Sequence, residues 1–431
     1  MLARILYYYY KTLYLKYYLN THEQLIAYQN KKFHSLVQKT LVNSPFYKDY
    51  LDKPFHQWPI MNKTIMNHYF DEINTVKIKK SDALTIALTA EETRNFSPLI
   101  NDIAIGLSSG TSGTRGLFLT SPRERDAWTG IILAKVLPHG LKTKERIAFF
   151  LRANNQLYMT LNKSRKIQFH FFDLLHPFEE HLKKINALNP TIVSAPSSVL
   201  RLLAQNKNLL TIRPKKIVAV AEVLEQADEE FISKAFNLPV SQVYQCTEGF
   251  LAASDKSSNS LVMNEEFLII EKDWIDEQRF VPIITDLMRT SQPIIRYRLD
   301  DVLIAKKSTG VFTELSAIEG RLGDVCYGQK GNEILPIFAD ALRQKMTSSP
   351  INFDDYRICQ NSLTEFTIQV FPEINHREEL IRHLNQLFIN LGCDTPTWLW
   401  QPYKTKDNTL KHRRIQSRYY PGVDCFKRRT Q

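Results

Sequence analysis

The sequence predicts an α/β protein. A large N-terminal domain with parallel βα sheets and a small antiparallel, barrel-like part comes first, and a small α+β domain follows. Three observations predict it. Between Pro177 and Tyr244, short apolar runs alternate with helical patterns, which is the signature of βα units and a parallel sheet. From Glu266 to Ile318, short strand-like runs follow one another with turns between them, as in an antiparallel barrel. Gly320-Arg321-Leu322-Gly323-Asp324 then forms a glycine-bounded polar break, after which a mixed unit begins. The break sets the expected boundary, with residues 1–319 on one side and 320–431 on the other.

Taken in order, the chain opens on a stretch from Met1 to Leu19 that mixes tyrosines with Arg4, Lys11 and Lys16. Basic residues interrupt its apolar part and no small-residue cleavage site follows, so it does not read as a signal peptide. It suits either a helix packed on its own protein or a dimer partner, or a helix lying at a membrane interface. Leu25, Tyr28, Phe33, Leu36, Val37 and Leu41 recur at helical spacing from Thr21 to Val42, and Ser44-Pro45 ends that helix. Asn62 caps a helix from Lys63 to Phe70. Val76 to Leu99 has no clear period. Ile103 to Leu107 and Leu117 to Thr120 read as strands, and Arg125 to Leu137 as a helix. Arg146 to Leu151 and Ile167 to Phe172 are strands. The regular part then gives helix Pro177–Leu188, strand Thr191–Ser194, helix Pro196–Ala204, strand Lys216–Val220, helix Glu225–Phe236 and strand Val240–Tyr244. Strands are expected at Glu266–Lys272, Arg279–Asp286, Ile294–Tyr297, Val302–Lys306 and Val311–Ile318. Past the break, a helix spans Leu335 to Lys345, strands lie near Tyr356–Cys359 and Glu365–Val370, and a helix spans Arg377 to Leu391.

Composition narrows the function classes. With 431 residues, 43% of them hydrophobic, the chain can bury a large core. Its net charge of +11 favours anionic partners such as nucleotides, coenzymes, a membrane surface or nucleic acid, although part of the excess sits between Lys404 and Arg429. The five cysteines, Cys246, Cys326, Cys359, Cys393 and Cys425, are odd in number and form no Cys-x-x-Cys pair. That argues against a disulfide framework or a zinc site and fits a reducing cytoplasm. No apolar run is long enough to span a bilayer.

The stretch Ser108-Ser109-Gly110-Thr111-Ser112-Gly113-Thr114-Arg115-Gly116 lies between the first two predicted strands. Its glycines, hydroxyls and backbone N–H groups could surround a polyphosphate, with Arg115 as counter-charge. It lacks the Gly-Lys-Ser/Thr entry to a helix that a Walker loop needs. In parallel sheets ligands bind at the carboxyl ends of strands. That rule points to Ala195-Pro196-Ser197, Ala221-Glu222-Val223 and Tyr244-Gln245-Cys246-Thr247-Glu248. Tyr244 offers a face for a base, Thr247 a hydroxyl for a phosphate, and Glu248 a carboxylate for a hard cation. An aspartate in Arg296-Tyr297-Arg298-Leu299-Asp300-Asp301 could accept two ribose hydroxyls, and Arg321 and Lys411 follow further on.

In its order and spacing this constellation resembles the adenylate-forming superfamily of acyl-CoA synthetases, peptide-synthetase adenylation domains and luciferases. Within it the chain looks most like the phenylacetate–CoA ligase branch, and in particular its uncharacterised relatives grouped with deazaflavin-coenzyme adenylylating synthetases. Pro45-Phe46-Tyr47, Pro59 to Lys63, Tyr244 to Gly249 and Asn264-Glu265-Glu266-Phe267 carry that likeness. The resemblance implies that Ser108, Ser109, Gly110, Thr111, Ser112 and Gly113 form the phosphate loop. It implies that Ala221, Glu222 and Val223 lie against the adenine, on which Tyr244 stacks. Thr247 falls near the α-phosphate, Glu248 on Mg²⁺, Asp301 on the ribose and Arg321 at the opening of a mobile C-terminal domain. Lys411 matches the lysine that steadies carboxylate and α-phosphate, with Lys404 and Lys406 as alternatives. Ser194 to Ser198 and Arg152-Ala153-Asn154 fall at the acyl pocket, with Phe169, Phe171 and Phe172 as candidate lining. Gly323 takes the hinge position, and the ribose motif has Asp300 where glycine is usual.

The resemblance implies ATP and Mg²⁺, a carboxylic acid that is aryl or otherwise planar, and an acyl-AMP passed to CoA or a carrier-protein thiol. Two alternatives stand beside it. One is a nucleotidyl transferase that leaves AMP on a phenol or acid. The other is a non-catalytic protein at a membrane surface or on nucleic acid. Intact Glu248, Asp301 and Arg321 speak against the last, and no nucleic-acid partner is expected.

Overall fold

The computed structural model describes residues 1–93, 95, 98–107, 116–151, 166–174, 176–321, 324–403 and 414–419. The chain divides into two compact units. The first comprises Met1–Asp273, Pro282–Leu299 and Ala305–Ser316; the second comprises Trp274–Val281, Asp300–Ile304 and Ala317–Gln431.

The first unit opens on helices α1 (Leu2–Tyr18) and α2 (His22–Lys39), the latter capped by Thr21, whose hydroxyl accepts from Gln24 N–H. Short helices α3 (Lys63–His68) and α4 (Phe70–Ile73) follow, and Asn62 caps α3 as expected. The stretch without a readable period holds helix α5 (Lys80–Glu92). It packs on a small antiparallel sheet of β1 (Leu99–Ile100), β2 (Ile103–Leu107) and β3 (Leu117–Thr120). Helix α6 (Pro122–Val136) starts three residues before its expected first residue, Arg125. Ser121 and Glu124 form a capping box, and Pro122 fits the first turn, where no N–H partner is needed.

The main sheet contains β4 (Glu145–Leu151), β5 (Ile167–Asp173), β6 (Ile192–Ala195), β7 (Lys216–Val220) and β8 (Val240–Gln245), parallel in the order β5-β4-β6-β7-β8. Helices α7 (Phe178–Leu188), α8 (Ser197–Gln205) and α9 (Gln226–Phe236) make the crossovers. Antiparallel strands continue edge to edge from β8: β9 (Phe250–Ser254), β10 (Leu261–Met263) and then Glu314–Leu315.

Alternation along the strands gives the sheet two apolar faces. Ala148, Phe150, Val193, Ile217 and Ala219 pack under α7, α8 and α9. Ile147, Phe149, Phe169, Ile192 and Val218 meet Leu133 and Ala134 of α6 and Leu137 just after it, with Ile5 and Tyr9 of α1 in the same cluster. Helix α1 therefore packs on its own protein, one of the arrangements its sequence allowed. It lies so close to α6 that a Cβ on Gly130 would sit 2.4 Å from the Ile5 carbonyl oxygen.

Also in the first unit are Leu268–Asp273 of β11 (Leu268–Trp274) and the pairing of Ile283–Ile284, from β12 (Arg279–Asp286), with β13 (Tyr297–Arg298). The expected strand Ile294–Tyr297 is thus reduced to a two-residue pair. Arg296 sits at φ +44, which interrupts extended backbone, and its guanidinium bonds Glu271, His56 O and Trp58 O.

The second unit holds Arg279–Phe280 paired with Leu303–Ile304 of β14 (Asp301–Ala305), and the end of β15 (Glu314–Arg321). A hairpin of β16 (Cys326–Lys330) and β17 (Glu333–Ile337) comes next. Helix α10 (Ala339–Thr347) begins after it, so Leu335, the expected first residue of a helix, lies in a strand. The left-handed Gly331 turns the hairpin and keeps the following residues paired with β16. Strands β18 (Asp355–Ser362), β19 (Glu365–Phe371), β20 (Thr397–Trp400) and β21 (Ile415–Ser417) form a sheet in the order β20-β19-β18-β21. Helix α11 (Arg377–Asn390) and α10 share a core with it that includes Leu342, Ile358, Phe366, Leu384 and Phe388.

Candidate active site

In the first unit the carboxyl ends of β6, β7 and β8 carry the strand-end residues singled out above. Ala221, just past β7, has φ +66, and Glu222 N–H donates to Val220 O at 2.8 Å. This is a tight γ-turn in a region that a residue with a Cβ enters only with strain. The Glu222 carboxylate accepts from Ser198 N–H in the first turn of α8 at 3.1 Å, where the helix dipole favours negative charge. Tyr244 is buried near the end of β8. Beyond it Cys246 N–H donates to Gly249 O at 3.0 Å, closing a turn that presents Thr247 and Glu248. The Thr247 hydroxyl donates to Glu248 Oε2 at 2.7 Å.

Sequence reasoning did not single out Arg289, which holds this turn, nor Glu124, Asp286 and Gln292, which brace the segment that carries Arg289 and the strand beside it. Arg289 donates from Nη1 to Thr247 O and from Nη2 to Leu119 O, both at 3.2 Å. One guanidinium thus links the Thr247–Glu248 turn to the strand that follows the Ser/Thr/Gly stretch. Gln292 completes that strand's edge, accepting from Leu119 N–H at 3.0 Å and donating to Leu117 O at 3.2 Å. Buried Glu124 accepts from Ser121 N–H at 2.6 Å, from Ser291 N–H at 2.8 Å, and from Thr290 N–H and the Ser291 hydroxyl. Burial opposes its ionisation, but Arg289 and these donors outweigh burial and hold the carboxyl below the usual range. Asp286 accepts from Met288 N–H at 2.7 Å and Arg289 N–H at 3.1 Å. Its burial prevails over these and pushes its carboxyl up to about 6. The Ser121-x-x-Glu124 spacing was the one local signal for this group; its partners lie more than 160 residues away.

Between α6 and the sheet lies a cavity of about 140 Å³. Trp128 and Ile132 line it from the helix, and Phe149, Phe169, Ser194 and Val218 from the strands, with Ala221 and Gln245 at two strand ends. The Trp128 indole N–H donates to Gln245 Oε1 at 3.1 Å. Of the residues expected at an acyl pocket, Ser194 and Phe169 line this cavity. Phe172 does not: it stacks on Phe150 in the core of the opposite face, because strand alternation sends it there. Phe171, Ser197 and Ser198 are likewise absent from the lining.

In the second unit, Asp301 heads β14 and Arg321 ends β15, with Arg321 Nε 3.7 Å from Asp301 Oδ1. Arg321 N–H donates to Asp324 Oδ2 at 2.8 Å. Gly320 lies at φ +134, and a Cβ there would come within 2.9 Å of that same Asp324 oxygen. Ser108, Ser109, Gly110, Thr111, Ser112, Gly113, Arg152 to Asn154, Gly323, Lys404, Lys406 and Lys411 lie outside the described residues.

No family model matches the chain. Protein CapK of Staphylococcus aureus is 27% identical over 125 residues, which cover 28% of this chain and 28% of that protein. Among the solved structures that resemble it are an acid–CoA ligase and an acyl acid amido synthetase. The 2-hydroxyisobutyryl-CoA ligase in the postadenylation state, in complex with 2-HIB-AMP, is 14% identical and superposes with a TM-score of 0.66. That match covers 92% of this chain and 89% of the ligase. The GH3.15 acyl acid amido synthetase is 12% identical, with a TM-score of 0.61 over 94% of this chain and 93% of that one. Over nearly its whole length, this chain has the fold of the adenylate-forming ligases.

Proposed function

We propose that the chain is an ATP-dependent, AMP-forming acid ligase that activates a compact apolar carboxylic acid and passes the acyl group to a thiol of CoA or a carrier protein. The observation that carries this reading is the cavity. It is lined by apolar side chains with Ser194 and Gln245, and it reaches two strand ends expected to meet a nucleotide, at Ala221 and Gln245. An acid seated ring-inward would present its carboxylate near Gln245, two residues before Thr247. An apolar protein cavity of about 150 Å³ accommodates a benzene molecule, so this one suits a single ring or a short branched chain.

In the proposed first step a carboxylate oxygen bonds to the α-phosphorus of ATP, the bond to the β-phosphate oxygen breaks, and pyrophosphate leaves. In the second a thiolate attacks the acyl carbon and AMP leaves. Neither step needs a protein nucleophile; the side chains position the reactants and offset developing charge. Glu248 is half-buried, and its Oε2 is held by the Thr247 hydroxyl. A single carboxylate of this kind suits Mg²⁺, which completes its shell with phosphate oxygens and would neutralise them. In the second unit, Asp301 would take the ribose hydroxyls.

ATP–pyrophosphate exchange across benzoate-sized, long-chain and amino acids tests the reading. Exchange with one-ring or short branched acids, lost in Glu248→Gln with the fold unchanged, is expected. Exchange that needs no acid, or that Glu248→Gln retains at limiting Mg²⁺, would overturn it. Product that keeps AMP, with no thiol consumed, would move the chain to nucleotidyl transfer.

A further inference from the structure

Helix α1 has two aromatic faces. Ile5, Tyr8, Tyr9, Thr12 and Leu15 are buried against the protein. Tyr7, Tyr10, Tyr14, Tyr17 and Tyr18 are 49–78% exposed. At 100° per residue these five fall within one arc on the opposite side, a stripe about 16 Å long. Residues 1 to 22 contain no aspartate or glutamate. The basic groups of the helix divide by role. Arg4 pairs with Asp126 and Lys16 with Asp255. Lys11 lies 5.9 Å from the Tyr7 ring and 5.6 Å from the Tyr8 ring. It faces Lys32 of α2, and burial together with that second cation lowers its ammonium to about 8. Among the described residues neither Lys11 nor Lys32 has a carboxylate within ion-pairing distance. A tyrosine stripe thus runs beside two uncompensated cations.

We propose that this face of α1 docks on an anionic phospholipid surface. Tyrosine has an apolar body and a polar tip and settles at the level of lipid headgroups, and lysines beside it meet acidic phosphates. The stripe suits a flat bilayer better than a second copy. Its five rings expose on the order of 600 Å² together, below the roughly 800 Å² per partner of a stable protein interface. No helix among the described residues is long and apolar enough to cross a membrane, so the contact is one of lying on the surface.

Vesicle co-sedimentation of the full chain is the test. Vesicles of phosphatidylcholine with about one third phosphatidylglycerol should bind it, and pure phosphatidylcholine much less. Lys11→Gln/Lys32→Gln should lower binding to the anionic vesicles about 30-fold and leave the neutral level unchanged. Tyr10→Gln/Tyr14→Gln/Tyr17→Gln should lower it at least about tenfold on both, with an unchanged melting temperature. For the unaltered chain, salt of about 1 M shortens screening to about 3 Å and should release it to the neutral level. Absence of binding by the unaltered chain, or full binding by the tyrosine variant, would overturn the proposal. So would a dimer that the tyrosine variant breaks while vesicles bind neither form, since the face would then belong to a second copy.

Discussion

Asp286→Asn is expected to make the protein more stable at neutral pH, not less. Asp286 is buried, and its carboxyl is pushed from the ordinary 3.8 up to about 6. A carboxyl raised in the folded state stabilises the fold while it is protonated in both states. That contribution is complete below about pH 4 and is lost as pH rises through 6. At 1.36 kcal/mol per pH unit the loss is about 3 kcal/mol. Asparagine keeps the oxygen that accepts from Met288 and Arg289 N–H and removes the charge. It also removes the repulsion of Glu124, leaving that carboxylate and Arg289 to each other. The variant should therefore gain about 3 kcal/mol at pH 8 and about nothing at pH 4. In a unit of this size that is on the order of 5–10 °C in Tm. Melting curves or urea titrations from pH 4 to pH 8 read it directly. A variant that keeps the wild-type fall in stability between pH 4 and pH 7, or is weaker at pH 8, would refute the argument. Either result would mean that Arg289 needs the Asp286 charge more than the fold pays to bury it.

Three further outcomes are expected. Gly130→Ala, which in most helices adds up to about 1 kcal/mol, should here destabilise, because the new methyl meets the backbone of Ile5 and Tyr9; protection of α1 from proteolysis measures it. Ser194→Leu places a branched side chain in the cavity and should abolish exchange with one-ring acids while leaving the melting temperature within a few degrees. Asp301→Ala should raise the apparent ATP constant about 30- to 1000-fold, the equivalent of roughly 2–4 kcal/mol; an unchanged constant would remove Asp301 from the proposed site.

What could be read in advance followed from local pattern. Lys216–Val220 and Arg279–Asp286 match the expected strands end to end: Lys215-Lys216 opens the first and the left-handed Ala221 closes it, while Arg279 and Asp286 bound the second. Helix α5 escaped notice because its buried positions include Ala83 and Ala87, small residues that leave a faint period. Phe169 and Phe172 were grouped by composition although strand alternation separates them, one to the cavity and one to the opposite core. The cluster of Glu124, Asp286, Arg289 and Gln292 was not legible, because Glu124 meets the 286–292 segment, and Gln292 meets Leu117 and Leu119, across 166 to 175 residues, which no local spacing encodes. The Trp128–Gln245 contact across the cavity is hidden for the same reason.

The seat of α1 also sets an order of events during synthesis. Its inner face is completed by α6, by strands β4 and β5 and by Val218, all more than one hundred residues downstream. At the usual 5–20 residues per second, a ribosome needs roughly 10–40 s to deliver them. For that interval Ile5 and Tyr9 have neither α6 nor the sheet to pack on, and α2, made directly after α1, offers Leu25 to Leu15 and Leu19 first.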